Sequence, residues 1–336
     1  MLRVMRRLPT AARAALLFVV ALLSASCGES DAPSAPDSGS LTGAPAATPP
    51  AAAYSGIPFG PYDLWASTTA LKWGPGSFTL TLDNSYLPTT LAQRVNAARQ
   101  KHLRLVLELT GGPNNVLTNG KFDLAKWKTR MNKLNTTANK NAVAAGVTDG
   151  TIVAGKLLDE PEHPKWGGGL TKAVIDEMAT YVKKFFPTLP IGVGHGAPGF
   201  KWRSTERYKV LDWVSVQYVW NYNNGNVTTW LNQVLGFTRA NGVRPMFGLN
   251  ILNGGVMDTN GAWDCPNTGG KGTRTSNCRM TAEQVRTYGR AIGPSGCALL
   301  MWKYDNAFMA NAANQSAFKD VATLLNSKPK PSCRRP

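Results

Sequence analysis

Acidic residues are scarce in this chain of 336 residues. It has 20 Asp and Glu and 37 Lys and Arg, which gives a formal net charge of +17. Histidine occurs only three times and cysteine five times. His163 and His195 lack metal-ligand spacing with Glu160, and Cys265-x12-Cys278 has no nearby histidine. No Gly-x-Ser-x-Gly motif occurs, and Gly192-Val-Gly194 is too short for a dinucleotide fingerprint. The sequence therefore predicts no metal and no cofactor.

A long apolar run occurs near the amino terminus. Ala14 to Leu23 follow four arginines and precede Ser24-Ala-Ser-Cys27, which is the order of a secretory signal. The ending Leu23-Ser-Ala-Ser-Cys27 resembles a bacterial lipoprotein box, which implies that residues 1–27 are a signal peptide, that Cys27 is lipidated, and that the protein is anchored to a membrane of the cell envelope. Simple secretion with cleavage nearby is the alternative.

Composition divides the rest of the chain into two parts. Residues 28–56 are mostly Ala, Pro, Ser, Gly and Thr, so we expect a disordered tether. Residues 57–336 suit one large domain, which we expect to be a monomer. Without the four signal arginines the net charge of +17 falls by four, to +13. An exported protein without a recognisable binding motif is not expected to bind nucleic acid, so the charge indicates solubility or attraction to an anionic envelope.

Four cysteines remain for disulfides in an oxidising compartment. Cys265 and Cys278 lie in one Gly/Asn/Thr-rich loop, whereas Cys297 and Cys333 bracket the last predicted strand and helix. We predict the bonds Cys265–Cys278 and Cys297–Cys333, although four cysteines allow three connectivities.

Strand and helix patterns alternate along residues 57–336. Predicted strands cover 59–64, 78–82, 103–109, 152–159, 191–194, 213–217, 244–250 and 297–303. Helical patterns separate most of them, at 88–101, 124–145, 171–186, 227–240 and 282–292, and one more closes the chain. This alternation favours right-handed βαβ units. The fold class predicted is α/β, as a single (β/α)8 barrel.

Alternation within strands predicts which side chains point into the barrel. The leucines of 103–109 share one face that should pack on helices, so Arg104 and Glu108 point inward. On strand four the same rule places Lys156 and Glu160 inward and turns Asp159 toward a neighbouring loop. Lys156 can then form an ion pair with Glu108, which is a structural role as readily as a functional one. Asp83, Gln217, Asn250, Lys303 and Asp305 are also predicted to face inward.

The stretch from Ile152 to His163 carries the strongest functional signal. An apolar strand runs into Asp159-Glu160-Pro161, and Pro161 cannot continue a central strand. The two acids therefore end the strand at its carboxyl edge, where ligands bind in parallel α/β folds. Burying adjacent acids is costly unless a partner or substrate uses them.

Asp159-Glu160-Pro161 resembles the motif at the end of strand four in (β/α)8 glycoside hydrolases, and the resemblance implies that Glu160 is the general acid/base. Retaining members also carry a nucleophilic glutamate after strand seven, where this chain has Asn250-Ile-Leu-Asn-Gly-Gly255. Asp305 after strand eight, opposite strand four, is the first choice for the second carboxylate, in a geometry better suited to inversion. A helix cap is the alternative role for Asp305.

Tryptophans fall at or after predicted strand ends unusually often, and exposed rings there could stack on sugars. Those at 65, 73, 166, 202, 220, 263 and 302 do so, whereas those at 127, 213 and 230 are predicted to be core. The predicted substrate-binding residues are Asp159, Asp83, His195, Gln217, Asn250, Trp166, Trp220 and Trp302. The sequence thus favours an exported glycoside hydrolase for a poly- or oligosaccharide. The alternatives are a glycan-binding barrel without catalysis and hydrolysis of a non-sugar polymer.

Overall fold

Eight parallel strands form the frame of the protein in a computed structural model, which describes residues 55–64, 78–83, 90–195, 207–220, 226–255, 278–329 and 331–336. The strands, here numbered in chain order, are β1 Phe59–Pro61, β2 Leu80–Asp83, β3 Arg104–Glu108, β4 Ile152–Asp159, β5 Ile191–His195, β6 Trp213–Tyr218, β7 Arg244–Asn250 and β8 Leu299–Trp302. Each pairs in parallel with its sequence neighbour from β2 to β8, and β8 pairs with β1. The isolated parallel bridge Tyr62–Leu82 joins β1 to β2, so the ring is nearly closed. The predicted (β/α)8 barrel is confirmed.

Helices cover the outside of the barrel. They are α1 Leu91–Gln100, α2 Leu124–Asn132, α3 Thr137–Asp149, α4 Lys172–Lys183, α5 Val227–Asn241, α6 Ala282–Ile292, α7 Asn306–Ala310 and α8 Ala312–Asn326. The single helix predicted over 124–145 is two helices, because Thr136 accepts a hydrogen bond from Asn139 N–H and starts α3 afresh. An antiparallel hairpin of Leu117–Thr118 with Lys121–Phe122 precedes α2 and was not predicted. None of the helices in these described ranges is both long and apolar enough to cross a bilayer.

The apolar residues form two layers. An inner cluster fills the barrel and includes Leu80, Leu82, Val106, Ala154, Trp213, Met246 and Leu300. An outer cluster lies between strands and helices and includes Leu105, Leu107 and Leu109. The predicted inward and outward faces of β3 are therefore confirmed. Trp127, Trp213 and Trp230 are buried, as predicted for core tryptophans.

The amino-terminal end of the barrel is closed by both ends of the domain. Arg104, the first residue of β3, is buried in the barrel. Its Nη1 and Nη2 donate to the carbonyls of Gly56 and Ser55 at 3.2 and 2.8 Å. The predicted disulfide Cys297–Cys333 is present and ties down the carboxyl-terminal tail. Cys278 is also disulfide-bonded, but Cys265, its predicted partner, lies outside the described residues, as does Cys27.

Candidate active site

A cavity of about 230 Å³ opens at the carboxyl end of the strands. Because all eight strands are parallel, their final side chains converge at this end of the barrel. The cavity is lined by Tyr62, Glu108, Gly111, Gly112, Pro113, Lys156, Asp159, Lys165, Trp166, Gln217 and Trp302. Of the predicted site residues, the barrel thus brings together Asp159, Gln217, Trp166 and Trp302.

A bulge in β4 decides which acid enters the cavity. Lys156 pairs with Gly192 and Asp159 with Gly194, so three steps along β4 match two along β5. The extra residue is accommodated by Leu157 and Leu158, which both belong to the outer cluster. A bulge reverses the alternation that follows it. Asp159 therefore lines the cavity with Lys156, and the predicted orientations of Asp159 and Glu160 are wrong.

Glu160 lies at the rim of the cavity. Its backbone has a φ of +48°, which is unusual for a non-glycine residue, and its N–H donates to the Gly194 carbonyl at 2.6 Å. Its Oε2 accepts a hydrogen bond from Lys165 Nζ at 2.9 Å. Glu160 is therefore beside the cavity and bound to one of its lining residues, although it is not itself part of the wall.

Two lysines and three carboxylates form a continuous cluster of charges. Lys156 Nζ lies 2.8 Å from Glu108 Oε2 and 3.4 Å from Asp159 Oδ1. Lys165 Nζ lies 3.6 Å from Asp159 Oδ2 and 2.9 Å from Glu160 Oε2. The predicted Lys156–Glu108 ion pair is therefore confirmed, and Asp159 links it to the rim. Oε1 of Glu108 is buried and has no hydrogen-bond partner among the described residues.

These surroundings move the pKa values of the two cavity carboxyls in opposite directions. Burial raises the pKa of Glu108, against the smaller effect of the Lys156 ammonium. Burial acts in the same direction on Asp159, but Lys156 and Lys165 outweigh it and hold the pKa of Asp159 below its usual value. Asp159 is thus kept ionised, whereas Glu108 retains a proton more readily than an exposed glutamate does.

Lys156 is held in its charged form. Burial alone would lower the pKa of Lys156, but the charges of Asp159 and Glu108 raise it above the ordinary value. The ammonium also lies 5.1 Å from the centre of the Tyr62 ring. Burial raises the pKa of Tyr62 to about 12, so its hydroxyl keeps its proton. An amine nucleophile needs a lowered pKa, so this lysine acts as a fixed positive charge.

The tryptophans of the site differ in exposure. Trp166 is 2% exposed, and its Nε1 donates to the Asp159 carbonyl at 2.8 Å, so it supports the end of β4. Trp302 is half-buried and offers more of its ring to the cavity. Trp220 packs against the outer cluster and does not line the cavity.

Several predicted site residues have other roles. Asp305 is the N-cap of α7, where its Oδ1 accepts from Phe308 N–H at 2.8 Å. The Asn250 side chain accepts from Asn253 N–H and belongs to the turn after β7. His195 is buried on the outer side of β5, where Nδ1 lies 3.1 Å from Glu162 Oε2 and Nε2 lies 3.3 Å from the Tyr208 hydroxyl. None of the three lines the cavity.

Some predictions fall outside what the structure describes. Only the backbone of Asp83 is described, at the last position of β2. The tryptophans at 65, 73, 202 and 263 lie outside the described residues. Within the described part of the chain, no group of three His, Cys, Asp or Glu could hold a metal ion.

Tyr62, Lys165 and the loop 111–113 also belong to the site and were not predicted from the sequence. Lys165 lies two residues after His163 and five after Glu160. A lysine so close in sequence to Asp159 and Glu160 could have been predicted to pair with them. Tyr62 directly follows β1, but its place against Lys156 depends on the closing of the barrel between β1 and β2. The loop follows β3, at the same edge as Asp159.

Comparisons with known proteins find relatives in structure only, because no family model and no curated protein matches the sequence. The catalytic core of xylanase A has a TM-score of 0.52 and 11% identity, over 80% of this chain and 98% of that one. Xylanase 10B from Thermotoga maritima has a TM-score of 0.47 and 10% identity, with coverages of 82% and 97%. The β-glucuronidase of Ruminococcus gnavus also has a TM-score of 0.47 and 10% identity. The match covers 82% of this chain but only 51% of the β-glucuronidase chain. At this identity the likeness concerns the fold, and the chain has the single (β/α)8-barrel fold of these glycoside hydrolases.

Proposed function

We propose that this protein is a glycoside hydrolase that cleaves a poly- or oligosaccharide in the cavity at the carboxyl end of the barrel. The observation that carries the proposal is the relation between Glu108 and Asp159. Both contact the ammonium of Lys156, and their pKa values are moved apart. Two carboxyl groups with separated pKa values are what acid catalysis beside an ionised carboxylate requires.

The closeness of the facing oxygens of these two carboxyls favours retention of configuration. Glu108 Oε2 and Asp159 Oδ1 lie 2.8 and 3.4 Å from the same Nζ, so their separation cannot exceed the sum of those distances. Inverting enzymes need about 6.5–9.5 Å to admit a water molecule, whereas retaining enzymes need about 5–5.5 Å. The facing oxygens of Glu108 and Asp159 are thus closer together than the inverting arrangement requires.

In the proposed reaction, Glu108 gives its proton to the glycosidic oxygen as the bond to the anomeric carbon breaks. Asp159 forms a bond to that carbon and releases the first product. Water then attacks the same carbon, Glu108 takes its proton, and the bond to Asp159 breaks. Lys156 keeps Asp159 ionised before it attacks and stabilises the carboxylate again when it leaves, and the half-buried ring of Trp302 offers a face for the sugar.

Glu160 remains the competing candidate for the acid, because the Asp-Glu-Pro motif implies that role and its carboxylate binds Lys165 at the rim. Reducing-end release by Glu108→Gln, Asp159→Asn, Glu160→Gln and Asp305→Asn separates the assignments. The substrate panel includes xylan, because one similar structure is a xylanase core. Loss of an acid catalyst lowers kcat by about 10²–10⁴-fold on a poor leaving group and less on an activated aryl glycoside. We expect that pattern for Glu108→Gln, loss on both substrates for Asp159→Asn, and a small effect for Asp305→Asn.

Glycan binding without catalysis is the second candidate. It is favoured because each cavity carboxylate already contacts a lysine and Asp305 caps a helix. Binding to a polysaccharide in affinity electrophoresis, with no product from any member of the panel, would remove the hydrolase proposal and retain this one.

We further propose that the protein is exported and held at the cell envelope through lipidated Cys27. The amino-terminal order of arginines, apolar run and small residues supports export. The disulfide Cys297–Cys333 supports an oxidising compartment, since cytosolic thiols stay reduced.

A further inference from the structure

We propose that the amino-terminal end of the barrel, opposite the cavity, is a docking surface for an anionic lipid bilayer. Four exposed cations define this basic face: Arg239, Arg244, Arg290 and Lys328. The proposal concerns the other end of the molecule from the hydrolase site and does not depend on that function.

The four cations lie on neighbouring elements. Arg239 and Arg290 are in the last turns of α5 and α6, Arg244 is the first residue of β7, and Lys328 follows the end of α8. Because α5 packs on α6 and α6 packs on α8, these positions form one arc of the barrel end. The side chains of these four residues make no ion pair and no hydrogen bond with another residue in the described part of the chain.

The acidic residues described at this end of the barrel do not neutralise the basic face. Asp149 and Asp212 lie at the same end of the barrel, and each is occupied by an ion pair of 2.7 Å, with Arg99 and Lys183 respectively. The carboxylates of the cavity lie at the opposite end of the strands. The basic face therefore keeps its positive charge, which attracts a protein to an anionic surface.

The chain also enters the barrel beside the basic face. Ile57 N–H donates to the Leu325 carbonyl at 3.0 Å, and Gly56 lies against Asn326, two residues before Lys328. The residues that lead toward the apolar run Ala14–Leu23 thus join the domain at this end. We favour a membrane over a nucleic acid because the anchoring proposed above holds the amino terminus near a bilayer, and the chain enters the barrel at this end.

A local role for two of the cations is the competing explanation. Arg239 and Arg290 interact favourably with the negative ends of α5 and α6 whether or not a membrane is near. That explanation does not extend to Arg244, which begins a strand, or to Lys328, which lies beyond its helix. The experiment therefore measures binding and thermal unfolding of the same variants.

Vesicle sedimentation tests the proposal with the full chain carrying Cys27→Ser, so that no lipid is attached. Vesicles of phosphatidylglycerol and phosphatidylcholine are compared with pure phosphatidylcholine, and only the difference is counted, because the apolar amino-terminal run contributes to both. Each cation at an anionic surface is worth about fivefold in partitioning. The quadruple change Arg239→Gln, Arg244→Gln, Arg290→Gln and Lys328→Gln should therefore weaken anionic binding on the order of 10²–10³-fold.

The matched control removes four exposed lysines elsewhere, by Lys121→Gln, Lys133→Gln, Lys140→Gln and Lys319→Gln. We expect it to retain most of the binding, and added salt to weaken binding of both the parent and the control. Equal losses in the two quadruple variants would show that net charge alone acts, and equal binding to both vesicle types would show no electrostatic docking. Either result overturns the proposal, as does binding of double-stranded DNA but not vesicles through the same four residues.

Discussion

Gly194 of β5 leaves the space that the carboxylate of Asp159 occupies. A Cβ at position 194 would lie 2.5 Å from Asp159 Oδ1 and 3.3 Å from Ser215 Oγ. The carbonyl of Gly194 also accepts a hydrogen bond from Glu160 N–H, so this glycine contacts both acids of the Asp-Glu-Pro motif. The position of the acid that lines the cavity therefore depends on a missing side chain on the neighbouring strand.

Gly194→Ala should displace Asp159 from the cavity wall. Overpacking of a buried position costs about 1–3 kcal/mol in the free energy of unfolding. Activity should fall by more than this loss of stability explains, because the carboxylate moves. Urea denaturation and sugar release measure the two effects. Gly236→Ala in α5 is the control, because no atom lies within 4 Å of its added Cβ. It should stabilise the protein by about 0.5–1 kcal/mol. Wild-type activity in Gly194→Ala would contradict this account.

Lys156→Met should destabilise the protein by about 3–5 kcal/mol at neutral pH, because it leaves Glu108 and Asp159 without their shared cation. The loss should shrink as the pH falls and the carboxyls take up protons. Combining Lys156→Met with Glu108→Gln should recover part of the lost stability. Urea denaturation at two pH values checks both statements, and a loss independent of pH would show that packing alone is affected.

Asp159 should make stability sensitive to acid. Its pKa is lower in the folded protein than in the unfolded chain. Its contribution is therefore fully present above the unfolded-state pKa, about 3.9, and is lost as the pH falls below that value through the folded-state pKa. Asp159→Asn should lack this part of the acid-induced loss. Unfolding free energies of both proteins between neutral pH and acid should show it, and parallel curves would contradict the assignment.

Activity should have a bell-shaped pH dependence if Glu108 and Asp159 carry the reaction. The acid limb should lie below the usual carboxyl range, because the pKa of Asp159 is lowered, and the alkaline limb above it, because the pKa of Glu108 is raised. The measurement is kcat/KM of the wild type against pH. Glu108→Gln should remove the alkaline limb, whereas its persistence would assign that limb to another group.

Replacing Cys297 and Cys333 together by alanine should cost about 2–5 kcal/mol in the free energy of unfolding. Arg335 should hold the tail in part, since its Nη2 donates to the carbonyls of Tyr208 and Asn241 at 3.0 and 3.2 Å. Limited proteolysis should therefore cut the tail of the double variant sooner than the barrel. Unchanged stability and unchanged cleavage would show that the bond is dispensable.

Cys27→Ser should move the protein from the membrane fraction to the soluble fraction if Cys27 is lipidated. The expected change follows from the loss of the acyl chains, each CH₂ of which adds about 0.8 kcal/mol of membrane binding. Fractionation in moderate and high salt separates this anchor from docking by the basic face, because salt weakens only the latter. An unchanged distribution at high salt would contradict lipidation.

The order of strands and helices could be predicted from the sequence, because hydrophobic alternation and helical periodicity are local properties. The Lys156–Glu108 pair was predictable for the same reason, because the two residues keep their inward faces and lie opposite each other in the register of β3 and β4, after the irregularity at Leu105–Val106. The cysteine spacing allowed the Cys297–Cys333 bond to be chosen from three connectivities. The N-cap role of Asp305 was one of two open alternatives.

Tertiary structure alone decided which acid of Asp159-Glu160 enters the cavity. Alternation counts residues along one strand, whereas the bulge at Leu157–Leu158 is set by hydrogen bonding to β5 and by the space at Gly194. His195 shares the outward face of β5 with Ile191 and Val193, which alternation could have predicted, whereas its partners, Glu162 and Tyr208, lie on other segments. Lys165 and Tyr62 reach the site through a turn and through barrel closure. The sequence by itself thus determined the barrel and the kinds of charged residue at its carboxyl end. Pairing between strands determined which of these charges face each other, because contacts between distant segments leave no periodic pattern in the sequence.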